Sequence, residues 1–110
     1  TEYLKQEIIE KGLARGADLT DFDLRGADLR GVDFSDAEFI DANLEGADLR
    51  GCNLRGAMFN GAWVTKADFR GADLRGAYFA GNFHFKGARF EGADLRGADF
   101  SEADLSGAKF

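Results

Sequence analysis

Residues 46–56 read Gly46-Ala47-Asp48-Leu49-Arg50-Gly51-Cys52-Asn53-Leu54-Arg55-Gly56. A small residue, an acid or amide, a leucine, an arginine and a glycine recur with a period of five. Extended in both directions, the unit places an apolar centre at Leu19, Leu24, Leu29, Phe34, Phe39, Leu44, Leu49, Leu54, Phe59, Val64, Phe69, Leu74 and Phe79. One extra residue follows, and the series resumes at Phe85, Phe90, Leu95, Phe100, Leu105 and Phe110. Of these 19 centres, 15 have Ala two residues earlier; the exceptions are Phe22, Val32, Cys52 and Phe83.

A period of five matches neither a helix face nor an alternating strand. It matches a short extended piece followed by a turn. In an extended piece, residues two apart share a face, so the Ala and the centre point inward and the residue between them points out. Two residues then turn the corner. Gly two residues after the centre suits the third position of a type II turn, where φ is positive. Asp21, Asp36, Asp41, Lys66 and Glu102 occupy that position elsewhere, and those corners are expected to use a different turn type. Short inward-facing sides that close into coils and stack in parallel make a β-solenoid. The period alone does not set the number of sides per coil.

The runs Ala27-Asp28-Leu29-Arg30-Gly31 and Ala47-Asp48-Leu49-Arg50-Gly51 resemble the A-(D/N)-L-x-x unit of the pentapeptide-repeat proteins, and the resemblance covers residues 17–110. It implies an all-β fold: a right-handed, quadrilateral parallel β-helix with four pentads per coil, here about five coils. Centres twenty apart then stack. Residues 1–16 are expected to form a separate N-terminal cap, a short helix over 2–11 with Thr1 as N-cap and Gly12 just beyond its end, lying over the first coil near Phe22.

Composition excludes several kinds of function. The chain has 110 residues, one Cys, one His and no Pro. A single Cys leaves no internal disulfide or cysteine zinc cluster, and no metal or other cofactor is expected. No apolar run approaches the ~18 residues of a membrane span, and no targeting pattern is present, so a cytoplasmic location is expected. The net charge of −6 argues against direct binding to nucleic-acid phosphates. No phosphate loop or nucleotide fingerprint occurs. Cys52 fills an inward Ala slot as a structural thiol, and His84 has no nucleophile to serve. The chain is read as non-enzymatic.

Sorted by side, the charges are uneven. Sides three and four pair Asp columns with Arg columns. Side one carries Asp18, Asp21, Glu38, Asp41, Asp99 and Glu102 with no Lys or Arg, and accounts for the whole net charge. The outward position before the centre is usually Asp, Glu or Asn, yet it is Met58 and Tyr78 on side one and Trp63 and His84 on side two. The inserted residue, read as falling in Gly81-Asn82, lies at the corner between these sides. Met58, Trp63, Tyr78 and His84, edged by Ile40 and Asn82, are therefore the expected contact patch. Aromatic residues and Met are enriched where proteins meet.

The expected function is a structural or protein-interaction solenoid whose partner the sequence does not name. A homodimer through an uncapped C-terminal end around Phe100, Leu105 and Phe110 is a further expectation. The resemblance supplies an alternative, since some members of the family act as acidic DNA mimics that bind a type II topoisomerase and resist quinolones. Against it stand the Arg columns and a stack of about 23 Å, which spans only about 7 base steps. A third option is an idealised or designed scaffold, consistent with the regular GADLR runs and the start at Thr1 rather than Met.

Overall fold

The computed structural model describes residues 2–110, so the expected capping role of Thr1 lies outside the described residues. From Ala17 onward the chain is a stack of coils held by parallel bridges. Asp28 pairs with Asp48 and Asp48 with Asp68, twenty residues apart; beyond the insertion the step becomes twenty-one, as in Asp68 with Arg89. Four pentads therefore make one coil. Each side contributes a single bridge per coil rather than a long strand. In each bridge the central residue donates to the next coil (Leu29 N–H to Asp48 O, 2.8 Å) and the residue before it to the preceding one (Asp48 N–H to Ala27 O, 2.9 Å).

The pentad dictates the interior. Every centre from Leu19 to Phe90 is buried, and so are most of the paired Ala residues. Stacking by coils aligns like with like. The rings of Phe39, Phe59, Phe79 and Phe100 form one column with centroids 5.0, 4.7 and 5.0 Å apart and planes within 2°. Phe69, Phe90 and Phe110 form a second, and Phe59 meets Phe69 edge-on at 88°. Burial of each such side chain contributes roughly 1.5–3 kcal/mol. The Ala positions let these rings fit within a coil so narrow. Cys52 occupies one of those positions, donating its thiol to Leu29 O at 2.9 Å.

Two expectations are corrected. The five corners without glycine do not use another turn. Asp21, Asp36, Asp41, Lys66 and Glu102 have φ between 58° and 64°, close to the glycine corners. They close the same bond, as Ala67 N–H to Val64 O (2.9 Å) does across Lys66. The reason is cooperative: hydrogen bonds to adjacent coils, such as Lys66 N–H to Lys86 O at 2.9 Å and Gly46 N–H to Thr65 O at 3.0 Å, hold these corners to the glycine shape, and the non-glycine residue bears the left-handed strain. Lys66→Gly is therefore expected to stabilise the fold by about 1 kcal/mol and raise the Tm by about 4 °C. A melt showing no gain would mean that Lys66 is unstrained.

The second correction concerns the N-terminal helix. The short helix expected over 2–11 is observed as a six-residue π-helix, Leu4–Ile9. Bonds from residue i to i−5, such as Glu10 N–H to Lys5 O (2.8 Å), put residues four and five apart on one face. Leu4 is buried there, with Ile8 and Ile9 packed on the core, and Tyr3 lies 6.2 Å from Phe22. The helix ends earlier than expected, with Glu10 as its C-cap, and Gly12, two residues further on, has a φ of 71°.

Candidate interaction surface

The outward residue of each pentad forms columns up the rod. On side one the column runs Asp18, Glu38, Met58, Tyr78, Asp99, joined by successive bridges. On side two, Asn43 bridges Trp63, and Trp63 is followed by His84 through the bond from Val64 N–H to His84 O at 3.2 Å. The His84 imidazole stacks face to face on the Trp63 indole, 3.7 Å between centroids and 17° between planes. Trp63 is 47% and Tyr78 44% exposed, while Met58, His84 and Ile40 are half-buried. Met58 and Tyr78 stack as adjacent rungs, and Trp63 and His84 do the same on the neighbouring side.

Asn82 is not part of this surface. Its side chain is only 1% exposed. Its backbone N–H bonds Phe79 O at 3.0 Å and its carbonyl accepts from Asp104 N–H at 3.0 Å, the bonds that Ala makes in the other pentads. Asn82 therefore fills the inward slot, and the extra residue is Phe83, which is pushed outward. A benzyl group is far larger than the methyls of the neighbouring coils. The extra residue separates His84 N–H from Ala62 O, and the Asn82 amide fills the gap. It accepts from His84 N–H at 2.8 Å and donates to Ala62 O at 2.9 Å and Phe59 O at 2.8 Å.

Phe83, expelled, is 67% exposed and tilts against His84 at 4.5 Å. It extends the Trp63–His84 stack to three rings. Sequence reading missed Phe83 as a surface residue because it filled the Ala slot in the numbering. The signal was a bulky residue beside the insertion, in a slot that is Ala in 15 of 19 pentads. A groove of about 460 Å³ opens beside it, lined by Thr65, Phe83, His84, Lys86, Asp104, Ser106 and Gly107.

Electrostatics divides the rod. On sides three and four, Arg side chains grip the acid two residues earlier with two bonds, as Arg30 does Asp28 (Nε to Oδ1 and Nη2 to Oδ2, both 2.8 Å). They also reach the acid one coil on: Arg30 to Asp48 at 3.8 Å and Arg50 to Asp68 at 3.7 Å. Hydrogen bonds from Arg30 and Arg96 hold Asp28 and Asp94 down to about 2. These faces neutralise themselves. Side one differs: none of Asp18, Asp21, Glu38, Asp41, Asp99 and Glu102 takes part in an ion pair among the described residues. Hydrogen bonds from Thr20 and Ser101 keep Asp18 and Asp99 below the usual carboxylate range.

The remaining candidates have simple environments. Burial pushes the Cys52 thiol up to about 11, away from the thiolate that a nucleophile needs. No group of three His, Cys, Asp or Glu side chains among the described residues could hold a metal, and no helix is long and apolar enough to cross a membrane. On the last coil Phe100 and Leu105 are half-buried, and Phe110 is 60% exposed although its ring stacks on Phe90 at 5.2 Å.

The pentapeptide-repeats family model matches residues 15–51, 52–81 and 82–110, with eight copies. The crystal structure of alr5209, a pentapeptide repeat protein from Nostoc Pcc 7120, is 36% identical with a TM-score of 0.58, over 84% of this chain and 69% of that one. Rfr23, a pentapeptide repeat protein from the cyanobacterium Cyanothece 51142, superposes over 98% of this chain and 90% of its own with a TM-score of 0.53. At 18% identity that likeness speaks for the fold alone. QnrB1, a plasmid-mediated fluoroquinolone resistance protein, is 28% identical over 87% of this chain and 54% of that one, with a TM-score of 0.44, a superposition too loose to argue from. No curated protein shows a significant match to the sequence. The five-residue period, the coils of four pentads and a family model matching from residue 15 to residue 110 place this chain in the pentapeptide-repeat family.

Proposed function

We propose that this protein is a non-catalytic interaction module that binds a protein partner through the corner between sides one and two. The observation that carries the reading is the solvent-facing stack of Trp63, His84 and Phe83, with Tyr78 and Met58 on the adjacent column. A coil of this kind keeps its outward positions polar; three rings in contact there expose apolar surface with no role in the core. The Leu4–Ile9 helix covers the first coil in this reading, and the rod serves as a rigid mount for the patch.

Trp63→Ala tests it. Once a partner has been identified by co-precipitation from the source cell, the variant is expected to weaken binding by about 2 kcal/mol, roughly thirtyfold. Its Tm is expected to stay within a few degrees of the parent, since half of the indole lies in solvent. Unchanged affinity for a verified partner would refute the reading.

A second reading, an acidic DNA mimic, is favoured by one observation, the cation-free strip on side one. It predicts that loss of Asp18, Glu38, Asp41 and Asp99 abolishes inhibition of a type II topoisomerase in a supercoiling assay while Trp63→Ala does not. The ion-paired faces three and four weigh against it, because a duplex presents negative charge all round.

A further inference from the structure

The acids of side one fall into two groups separated by a neutral gap. Asp18, Asp21, Glu38 and Asp41 lie on the lower two coils and Asp99 and Glu102 on the top one. Between them the outward column holds Met58 and Tyr78, and the corner holds Asn60, Ala80, Gly61 and Gly81. The gap is low on its upper coil: Asn60 lies along the next coil with its amide 3.4 Å from Ala80 O, and a Cβ built on Gly81 would meet nothing within 4 Å, while on the coil below the Asp41 carboxylate leans over Gly61 and marks the edge of the lower acidic group. The surface is thus acidic, then apolar with Tyr78 at its centre, then acidic, read along the rod axis. From Glu38 to Asp99 there are three coil steps, about 14 Å at the ~4.8 Å spacing of paired strands.

We infer that this face takes an extended segment of a partner protein, running along the rod, with basic residues at i and i+4 and an apolar residue at i+2. This rests on the interaction-module reading above and names its ligand. Charge complementarity selects a basic partner, and the apolar centre distinguishes it from a purely electrostatic one. Geometry selects the conformation. In an extended chain, residues i, i+2 and i+4 share a face and the outer two lie about 13–14 Å apart. A helix returns to the same face after seven or eleven residues, at about 10 or 16 Å, and misses one acidic group. The basic ends meet Glu38 and Asp99, and the apolar residue lies on Tyr78 and Met58.

Two capped synthetic peptides of the same composition test this, titrated calorimetrically at low salt: Ser-Arg-Ser-Leu-Ser-Arg-Ser and Ser-Ser-Arg-Arg-Leu-Ser-Ser. The first is expected to bind about tenfold more tightly. That preference is expected to disappear in the Glu38→Gln/Asp99→Asn double variant, and binding of the first peptide is expected to fall at least severalfold in Tyr78→Ala. Equal binding of the two peptides, with sensitivity to Tyr78→Ala, would overturn the spaced-segment inference and leave the patch as an interaction surface. Binding that depends on Glu38 and Asp99 but ignores Tyr78→Ala would overturn it in favour of an electrostatic strip. Failure of both peptides to bind at millimolar concentration would overturn it as well, while loss of a verified partner's binding in Trp63→Ala would still support the broader reading.

Discussion

Replacing Phe59 with alanine is expected to destabilise the fold by about 3–5 kcal/mol and lower the Tm by roughly 15–25 °C. The ring is fully buried, stacks on Phe39 at 5.0 Å and on Phe79 at 4.7 Å, and meets Phe69 edge-on at 5.6 Å. Removing it opens a cavity in the middle of the column and cuts ring contacts to both adjacent coils. In a solenoid each coil is stabilised by its neighbours, so a central gap weakens the coupling between the two halves. The matching variant in this 110-residue chain's last coil, Phe100→Ala, is expected to cost less than half as much, because Phe100 is only half-buried and stacks on a single ring of its column. Chemical denaturation of the two variants checks the ratio. Equal losses would show that the Phe column does not act as a stack of coupled layers.

Asn82→Ala is expected to cost about 3 kcal/mol or more, although it introduces the residue most common at that position. The alanine would leave His84 N–H and Ala62 O without the partner that the Asn82 amide supplies, and would take from Phe59 O one of its two donors, the other being Ala62 N–H at 3.1 Å. Deleting Phe83 in the same chain is expected to recover most of that loss. The sequence would then read Ala-His-Phe-Lys-Gly, an unbroken pentad, and His84 N–H would reach Ala62 O directly, as Trp63 N–H reaches Ala42 O at 2.9 Å in the coil below. The comparison isolates the role of the amide: the single change removes the bridge, and the double change removes the need for it. Thermal melts in which both variants are equally unstable would mean that the insertion itself, not the missing bonds, sets the cost. The repaired chain also lacks the outermost ring of the Trp63–His84–Phe83 stack, so its partner affinity is expected to fall while its stability recovers.

Burial and the core were readable from the period. Two residues of each pentad share a face in an extended chain, which puts the centres and Cys52 inside and Met58, Trp63, Tyr78 and His84 outside. The pairing of Asp and Arg columns followed from the same alternation, since outward residues two apart are neighbours. Local spacing decides these features, and a sequence displays local spacing directly. The rest depended on contacts between coils. That Lys66 and four acidic corners adopt positive φ could not be read from residue type, because the bonds that hold them come from chain twenty residues away. That Leu4–Ile9 winds as a π-helix, with Leu4 buried and Ile8 and Ile9 packed on the core, could not be read from residue spacing either. The exchange of roles between Asn82 and Phe83 turned on the size of one inward slot and on two carbonyls, Phe59 O and Ala62 O, belonging to the coil below. The face-to-face meeting of Trp63 and His84, twenty-one residues apart, exists only because the inserted residue is absorbed in a bulge and the register closes again at Phe85. The five-residue pattern of this chain determined the coil and what faces into it; only the stacking of coils, through long-range hydrogen bonds and the volume of the interior, decided which irregular residue is buried and which three rings reach the solvent together.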